Sequence, residues 1–198
     1  MKKRTAVETR KTKETDITVK LNIDGAGKTK IDTGIGFLDH MLELFAFHGF
    51  FDLEIKAKGD FKVDIHHTNE DVGIVLGKAF KKALGEMKGI RRFGFAGVPM
   101  EQTVGKVILD LNGRGFFDLK IDREPPKKEG YELEYARHFL DGLAKQTGMN
   151  LNVRIEDSVP DLHASLEPVF KALGLALDQA TQIDPRRKGI PSTKGVID

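Results

Sequence analysis

The chain has 198 residues, enough for one large domain or two small ones, and a hydrophobic content of 39% is sufficient to build a core. Its 32 basic and 30 acidic residues leave a formal charge of +2, too balanced to point to nucleic acid or a membrane surface as a partner. Cysteine is absent, which excludes disulfides and thiolate metal sites, so any metal must sit on nitrogen and oxygen.

The basic start, Met1-Lys2-Lys3-Arg4, has no apolar stretch behind it and does not read as a signal peptide. No apolar run approaches the ~20 residues of a membrane span, so the expectation is a cytoplasmic protein. Residues 17–21 and 28–31 read as paired strands about the turn residues Asp24-Gly25. His40 precedes the helical spacing Met41, Leu42, Leu44, Phe45; alternation at Leu53, Ile55, Ala57 and again at Phe61, Val63, Ile65 predicts two strands. His66-His67-Thr68-Asn69-Glu70 then opens a helical run to Leu84. Residues 104–111 and 116–121 read as a hairpin turned by Asn112-Gly113, and Pro125-Pro126 to Gly130 as a polar loop. The earlier order then returns: His138 before Phe139, Leu140, Leu143 and Ala144; a strand at Leu151, Val153, Ile155; and His163 and Glu167 before Phe170, Leu173, Leu175 and Leu177.

This is a repeat. His40 and His138 lie 98 residues apart, His66 and His163 lie 97 apart, and Glu70 and Glu167 lie 97 apart. The chain therefore reads as two similar β/α halves, each a short sheet covered by two helices: residues 1–93, residues 94–184, and a non-helical tail from 185 to 198.

Five of the six histidines, His40, His66, His67, His138 and His163, fall at corresponding positions of the halves; only His48 does not. With Glu70 in the first turn of a helix, a histidine three or four residues back shares its face, and imidazole and carboxylate converge on one divalent cation. Adjacent histidines cannot share a face, so His66 and His67 would serve different metals. An N/O donor set suits Mn, Fe, Zn, Co or Ni. A lone histidine beside apolar residues is more often packed or solvated; repetition at a constant offset favours metal here. Arg91-Arg92, Arg114 and Pro191-Ser192-Thr193-Lys194-Gly195 offer guanidinium forks, hydroxyls and flexible backbone suited to phosphate, although each basic residue alone reads as surface. Glu14, in a polar segment, reads unaided as a surface carboxylate. Asp39 and Asp64 are candidates to orient liganding imidazoles.

Along nearly its whole length the sequence resembles the imidazoleglycerol-phosphate dehydratases. The resemblance rests on residues 10–15, Thr33-Gly34-Ile35-Gly36-Phe37-Leu38-Asp39-His40-Met41, His66-His67-Thr68-Asn69-Glu70-Asp71, Gly89-Ile90-Arg91-Arg92-Phe93-Gly94, Leu109-Asp110-Leu111-Asn112-Gly113-Arg114 and Pro191-Ser192-Thr193-Lys194-Gly195-Val196. It implies an α+β fold of two tandem ββαββα units of the ribosomal-S5-like kind, and a homo-oligomer of 24 subunits with active sites between them. It implies dehydration of imidazole glycerol phosphate to imidazole acetol phosphate in histidine biosynthesis, with two Mn²⁺ per site. His40, His66, His67, Glu70, His138, His163 and Glu167 match ligand positions; Arg92, Arg114, Ser192 and Lys194 match phosphate-binding positions; Glu14 matches the acid/base carboxylate.

The second half departs from that pattern. His163-Ala164 replaces the expected second His-His pair, with Asp161 a candidate substitute ligand. Gln102 stands for Glu, Asn152 for His, Lys106 for Arg and Gly115 for Pro, and Pro168 is expected within a helix's first turn. The expectation is one intact metal site and one weak one. An impaired paralogue with an assembly or ligand-binding role is the alternative; a dinuclear-metal hydrolase and a nucleic-acid binder rank lower.

Overall fold

The computed structural model describes residues 3–127 and 130–197. Met1, Lys2, Lys128, Glu129 and Asp198, from the basic start, the polar loop and the tail, lie outside the described residues. Among the described residues twelve elements follow in order: β1 (Thr5–Lys11), β2 (Thr15–Asn22), β3 (Thr29–Asp32), α1 (Gly36–His48), β4 (Asp52–Gly59), α2 (His66–Leu84), β5 (Phe93–Met100), β6 (Thr103–Asp110), β7 (Phe116–Ile121), α3 (Leu133–Thr147), β8 (Asn150–Glu156) and α4 (Leu162–Thr181). They form two four-stranded mixed sheets of the same topology, β1-β2-β4-β3 and β5-β6-β8-β7. The α+β class and the two ββαββα-like halves are as expected. In detail, three strands precede the first helix of each half and one strand separates its helices.

Three local expectations are corrected. Residues 17–21 and 28–31 are both strands but not a hairpin: β2 pairs antiparallel with β1 and β4, and β3 pairs parallel with β4. The Asp52 carboxylate accepts from the Ala26 and Lys28 backbone N–H groups at 2.9 and 3.2 Å, which draws the turn across the start of β4 instead of back along β2. Likewise β7 pairs parallel with β8 and not with β6. The Gly113 and Phe116 amides donate to the Gly148 and Met149 carbonyls, tying that segment to the entry of β8. Both parallel pairs are βαβ crossovers, which a tight turn cannot make. The strand expected through Phe61, Val63 and Ile65 is a series of turns. The Val63 N–H donates to the Asp60 carbonyl at 2.8 Å, and the Phe61 ring covers Gly34, where a Cβ would come within 2.7 Å of it.

Pro168 is the seventh residue of α4, beyond the first turn where it was expected. Its missing N–H forfeits one helical bond. The site is buried, and β6 presses on it so closely that a Cβ on Gly105 would lie 2.7 Å from the Pro168 carbonyl carbon. The surrounding packing holds the helix on course.

The helices lie between the two sheets and pack across the halves, α1 against α4 and α2 against α3. Buried residues of α2 recur as Val72, Val75, Leu76, Ala79, Phe80 and Ala83, the helical spacing of a core face. Phe45, Phe51 and Phe80 meet with ring centroids 5.2–6.0 Å apart, and Phe139 meets Phe170 at 5.7 Å. Each such fully buried ring contributes roughly 1.5–3 kcal/mol. The crossings depend on two glycines that the repeat places in register. A Cβ on Gly77 would stand 2.7 Å from the Leu143 carbonyl oxygen, and one on Gly174 would stand 2.3 Å from that of Phe45. Gly174→Ala should therefore cost about 1–3 kcal/mol in denaturant unfolding; unchanged stability would refute the close-approach argument.

Candidate metal clusters and anion cleft

The crossing of the halves brings the predicted ligands together in two groups. His66 and Glu70, one turn apart on α2, meet His138 from α3; His163 and Glu167 on α4 meet His40 from α1. Within each group the donor atoms lie within 4.8 Å of one another. Each cluster thus takes one imidazole from one half and an imidazole–carboxylate pair from the other. In the first, His66 Nε2 is 3.4 Å from Glu70 Oε2, and the His66 and His138 rings are 4.6 Å apart. In the second, Glu167 Oε2 lies 2.7 Å from His163 Nε2 and 3.4 Å from His40 Nε2. Burial pushes the Glu167 carboxyl up, but hydrogen bonds from Lys171 and His163 outweigh it and hold its pKa at about 2. Two imidazoles and one carboxylate at this spacing are the donor set that a divalent first-row ion takes, and no thiolate is required.

His67, the adjacent imidazole, points elsewhere. Its Nδ1 is 3.1 Å from Asp60 Oδ2, and this contact raises its pKa, with the nearby Glu14 charge adding to the effect. Glu14 sits in the β1–β2 turn, where its backbone N–H donates to Thr12 Oγ1. His48 stays outside both groups; burial, and then the Lys171 charge, lower its pKa. Two candidate orienting carboxylates are engaged with other groups. Asp39 accepts from Thr33 N–H and hydroxyl at 2.9 and 2.5 Å, and Asp64 accepts from the His66 backbone N–H at 2.6 Å. Asp161 is likewise occupied, capping α4 by accepting from Ala164 N–H at 2.8 Å, which argues against its use as a substitute ligand.

Arg92, Arg114, Ser192 and Lys194 converge on one cleft of about 170 Å³, with Asn112 and Thr193. Arg92 has φ 78°, a left-handed conformation costing roughly 1–2 kcal/mol for a side-chain-bearing residue. It is pinned by backbone bonds from its N–H to the Ala180 carbonyl and from the Leu111 N–H to its own carbonyl. Its guanidinium forks onto Asp110 at 2.6 and 2.9 Å and donates to the Pro191 carbonyl, locking the tail in place. Arg114 and Lys194 make no ion pair among the described residues. Three cationic side chains against the single Asp110 carboxylate leave the cleft attractive to an anion. The cleft lies at the C-terminal end of α4 and the clusters at its N-terminal end. At ~1.5 Å per residue, His163 and Ala180 are about 25 Å apart.

A model of the imidazoleglycerol-phosphate dehydratase family matches residues 33–177. The chain belongs to this family. An imidazoleglycerol-phosphate dehydratase of Methanocella arvoryzae is 53% identical over 98% of this chain and all of the relative; one of Bacillus subtilis is 48% identical over the same shares. The crystal structure of the Pyrococcus furiosus dehydratase in complex with (S)-C348 superposes with a TM-score of 0.82 at 35% identity, covering 95% of this chain and 99% of that one. The family's enzymes are dehydratases, that is, carbon–oxygen lyases.

Several residues that hold the candidate site together escaped the sequence reading. Asp71, mostly buried, accepts from Arg10 Nε at 2.9 Å and Thr15 Oγ1 at 2.6 Å, and so fastens the hairpin bearing Glu14 to α2. Asn69 is fully buried; it accepts from the Tyr131 hydroxyl and donates to the Tyr135 carbonyl, joining α2 to α3 beside the first cluster. Phe37, Tyr131 and Tyr135 form a run of rings from His163 to His66, with centroids 4.6–6.3 Å apart. Glu134 and Lys171 stand one helical turn from a cluster histidine and a cluster carboxylate, a spacing that could have marked them. Asp71→Asn should cost about 1.5–3 kcal/mol of stability, the range for a hydrogen bond to a charged group, and should lower turnover through a displaced Glu14. Unchanged thermal unfolding and turnover would show that the hairpin is held by other means.

Proposed function

We propose that this chain is a cytoplasmic, Mn²⁺-dependent dehydratase that converts imidazole glycerol phosphate to imidazole acetol phosphate in histidine biosynthesis. The observation that carries the proposal is the pairing of ligands across the halves, which yields two compact N/O clusters at one end of a chain of this family. His66, Glu70 and His138 would hold one ion, and His40, His163 and Glu167 the other, with His67 reaching toward a neighbouring copy. When bound, the ions supply Lewis acidity toward the imidazole ring nitrogens. Arg114, Lys194, Ser192 and Arg92 hold the substrate phosphate. Glu14 moves the protons: the hydroxyl on the carbon beside the ring departs with a proton as water, the next carbon along the chain gives up its proton, and the resulting enol tautomerises to the ketone.

The clusters and the cleft of one chain stand about 25 Å apart along α4, far more than one imidazole glycerol phosphate spans. A working site therefore takes its clusters from one copy and its cleft from another, and the chain works as a homo-oligomer, with 24 subunits expected from the resemblance. In support, the outer face of the second sheet exposes Phe93, Phe95, Ile108 and Phe116, an apolar surface that a solvated monomer would leave wet. Ala164 and Gln102 favour the alternative of an impaired paralogue, and turnover decides between the two.

With Mn²⁺ added, the purified protein should form imidazole acetol phosphate, and Glu14→Gln should lower kcat by about 10²–10⁴. Chelation should abolish turnover. Metal retention should fall on acidification, because protonated imidazole cannot coordinate. A lack of turnover with both ions bound would favour the paralogue. A mixture of inactive His66→Ala and inactive Arg114→Ala chains, reassembled together, should regain activity; a mixture as inactive as its parts would refute sharing between copies.

A further inference from the structure

The repeat makes the two clusters look equivalent, but the charges around them differ. Beside the first, His138 Nε2 lies 3.2 Å from Glu134 Oε1, one turn back on α3, so a second carboxylate joins Glu70 at the imidazole edge. Arg137 answers part of that charge from 3.7 Å, on the other oxygen of Glu134. The position matching Glu134 in the other half is Gly36, which offers no charge. Beside the second cluster, Lys171 Nζ lies 2.5 Å from Glu167 Oε1, with only 23% of its side chain exposed. The position matching Lys171 in the other half is Ile74. Asp64 and Asp161 occupy matching places at the starts of α2 and α4 and do not separate the two. The first cluster thus has two carboxylates against one flanking guanidinium, and the second has one carboxylate already paired with a sheltered ammonium.

We infer that the clusters bind divalent metal unequally. The α2–α3 cluster of His66, Glu70 and His138, backed by Glu134, fills first and tightly; the α1–α4 cluster of His40, His163 and Glu167, opposed by Lys171, fills second and weakly. This rests on the clusters being metal centres, as proposed above. An ion at Glu167 Oε2 faces an ammonium held on the other oxygen of the same carboxylate. That ammonium cannot withdraw, because leaving Glu167 would strand it, largely sheltered from water, without a partner. A charge difference of this kind at these separations should split the two affinities by at least about tenfold.

The test is a titration of metal-stripped, full-length protein in its assembled state with Mn²⁺ alone. Free Mn²⁺ is followed by electron paramagnetic resonance, and bound metal by elemental analysis. Two steps per chain, at least tenfold apart, are expected. His66→Ala should remove the tight step and leave the weak one, and His163→Ala the reverse. Glu134→Gln should weaken only the tight step, and Lys171→Met should strengthen only the weak one. Thermal melts of the metal-free variants check their folding, and Lys171→Gln replaces Lys171→Met if the latter melts early. Two equal steps, a tight step lost with His163→Ala, or a weak step unmoved by both Lys171 variants would overturn the inequality while leaving the metal centres standing. Absence of bound Mn²⁺ in either step would overturn the metal reading itself, and the inequality with it.

Discussion

The backbone-close crossing of helices from opposite halves governs the arrangement of the site. Neither half carries a complete cluster. His66 and Glu70 need His138, and His163 and Glu167 need His40, and each partner arrives only because α2 packs on α3 and α4 on α1. The contact is set by Gly77 against Leu143 and Gly174 against Phe45, two pairs that the duplication places in register. Core packing fixes such distances to fractions of an ångström, because interiors are packed to crystalline density. Donor atoms gathered on these helices are accordingly positioned by the core and not by loops, which suits a ligand set that must converge within 4.8 Å.

The same crossing sorts charge along the molecule. The helices of each crossing run in the same direction, so the clusters gather near N-termini and the cationic cleft near the C-terminal end of α4. Helix macrodipoles oppose the ions that each end would bind, since N-termini favour anions and C-termini favour cations. The side chains must reverse that bias locally. Near the clusters this falls to Glu70 and Glu167, together with Asp64 and Asp161 at the first turns. At the cleft, Arg92 is held in an unfavourable backbone conformation and forked onto Asp110, while Arg114 and Lys194 supply the remaining positive charge. The small phosphorylated ring proposed as substrate could not bridge the two ends of one chain, so the crossing that assembles the clusters also sets them apart from the cleft.

Much of this was legible in the sequence because it is periodic. The matching offsets of 98 residues between His40 and His138 and 97 between His66 and His163 revealed the duplication; the His-x-x-x-Glu spacing placed two donors on one helical face. Strand partners were less accessible. Alternation at residues 28–31 and 116–121 identifies strands but not their neighbours, and in both halves the partner was chosen by hydrogen bonds to remote residues, Asp52 in one and Gly148 with Met149 in the other. The alternation of Phe61 and Val63 misled because it is apolar without being buried: Val63 is 69% exposed. Which histidine joins which pair was not readable at all, since it depends on the crossing of the halves.

The departures in the second half become coherent once the two hairpins are compared. In the first half, Glu14 precedes β2, Thr15 opens it, and Asp71 on α2 holds Thr15 and Arg10 so that Glu14 lies near His67. In the second half, Gln102 precedes β6 and Thr103 opens it; Ala164 stands for His67 and Pro168 for Asp71. With no carboxylate at that place on the helix, Thr103 turns to the 157–159 loop: its hydroxyl donates to the Asp157 carbonyl and accepts from the Val159 N–H. Carboxylate, imidazole and tether are thus all missing from the same corner. A proline could then enter α4 at a position where the first half needs an acid. The duplicated fold retains both three-residue clusters, whose members each serve a crossing of the halves, and keeps the Glu14–His67 corner in one half only. That asymmetry follows from what each group contacts: the clusters sit on the shared core, whereas each hairpin packs chiefly on the helix of its own half.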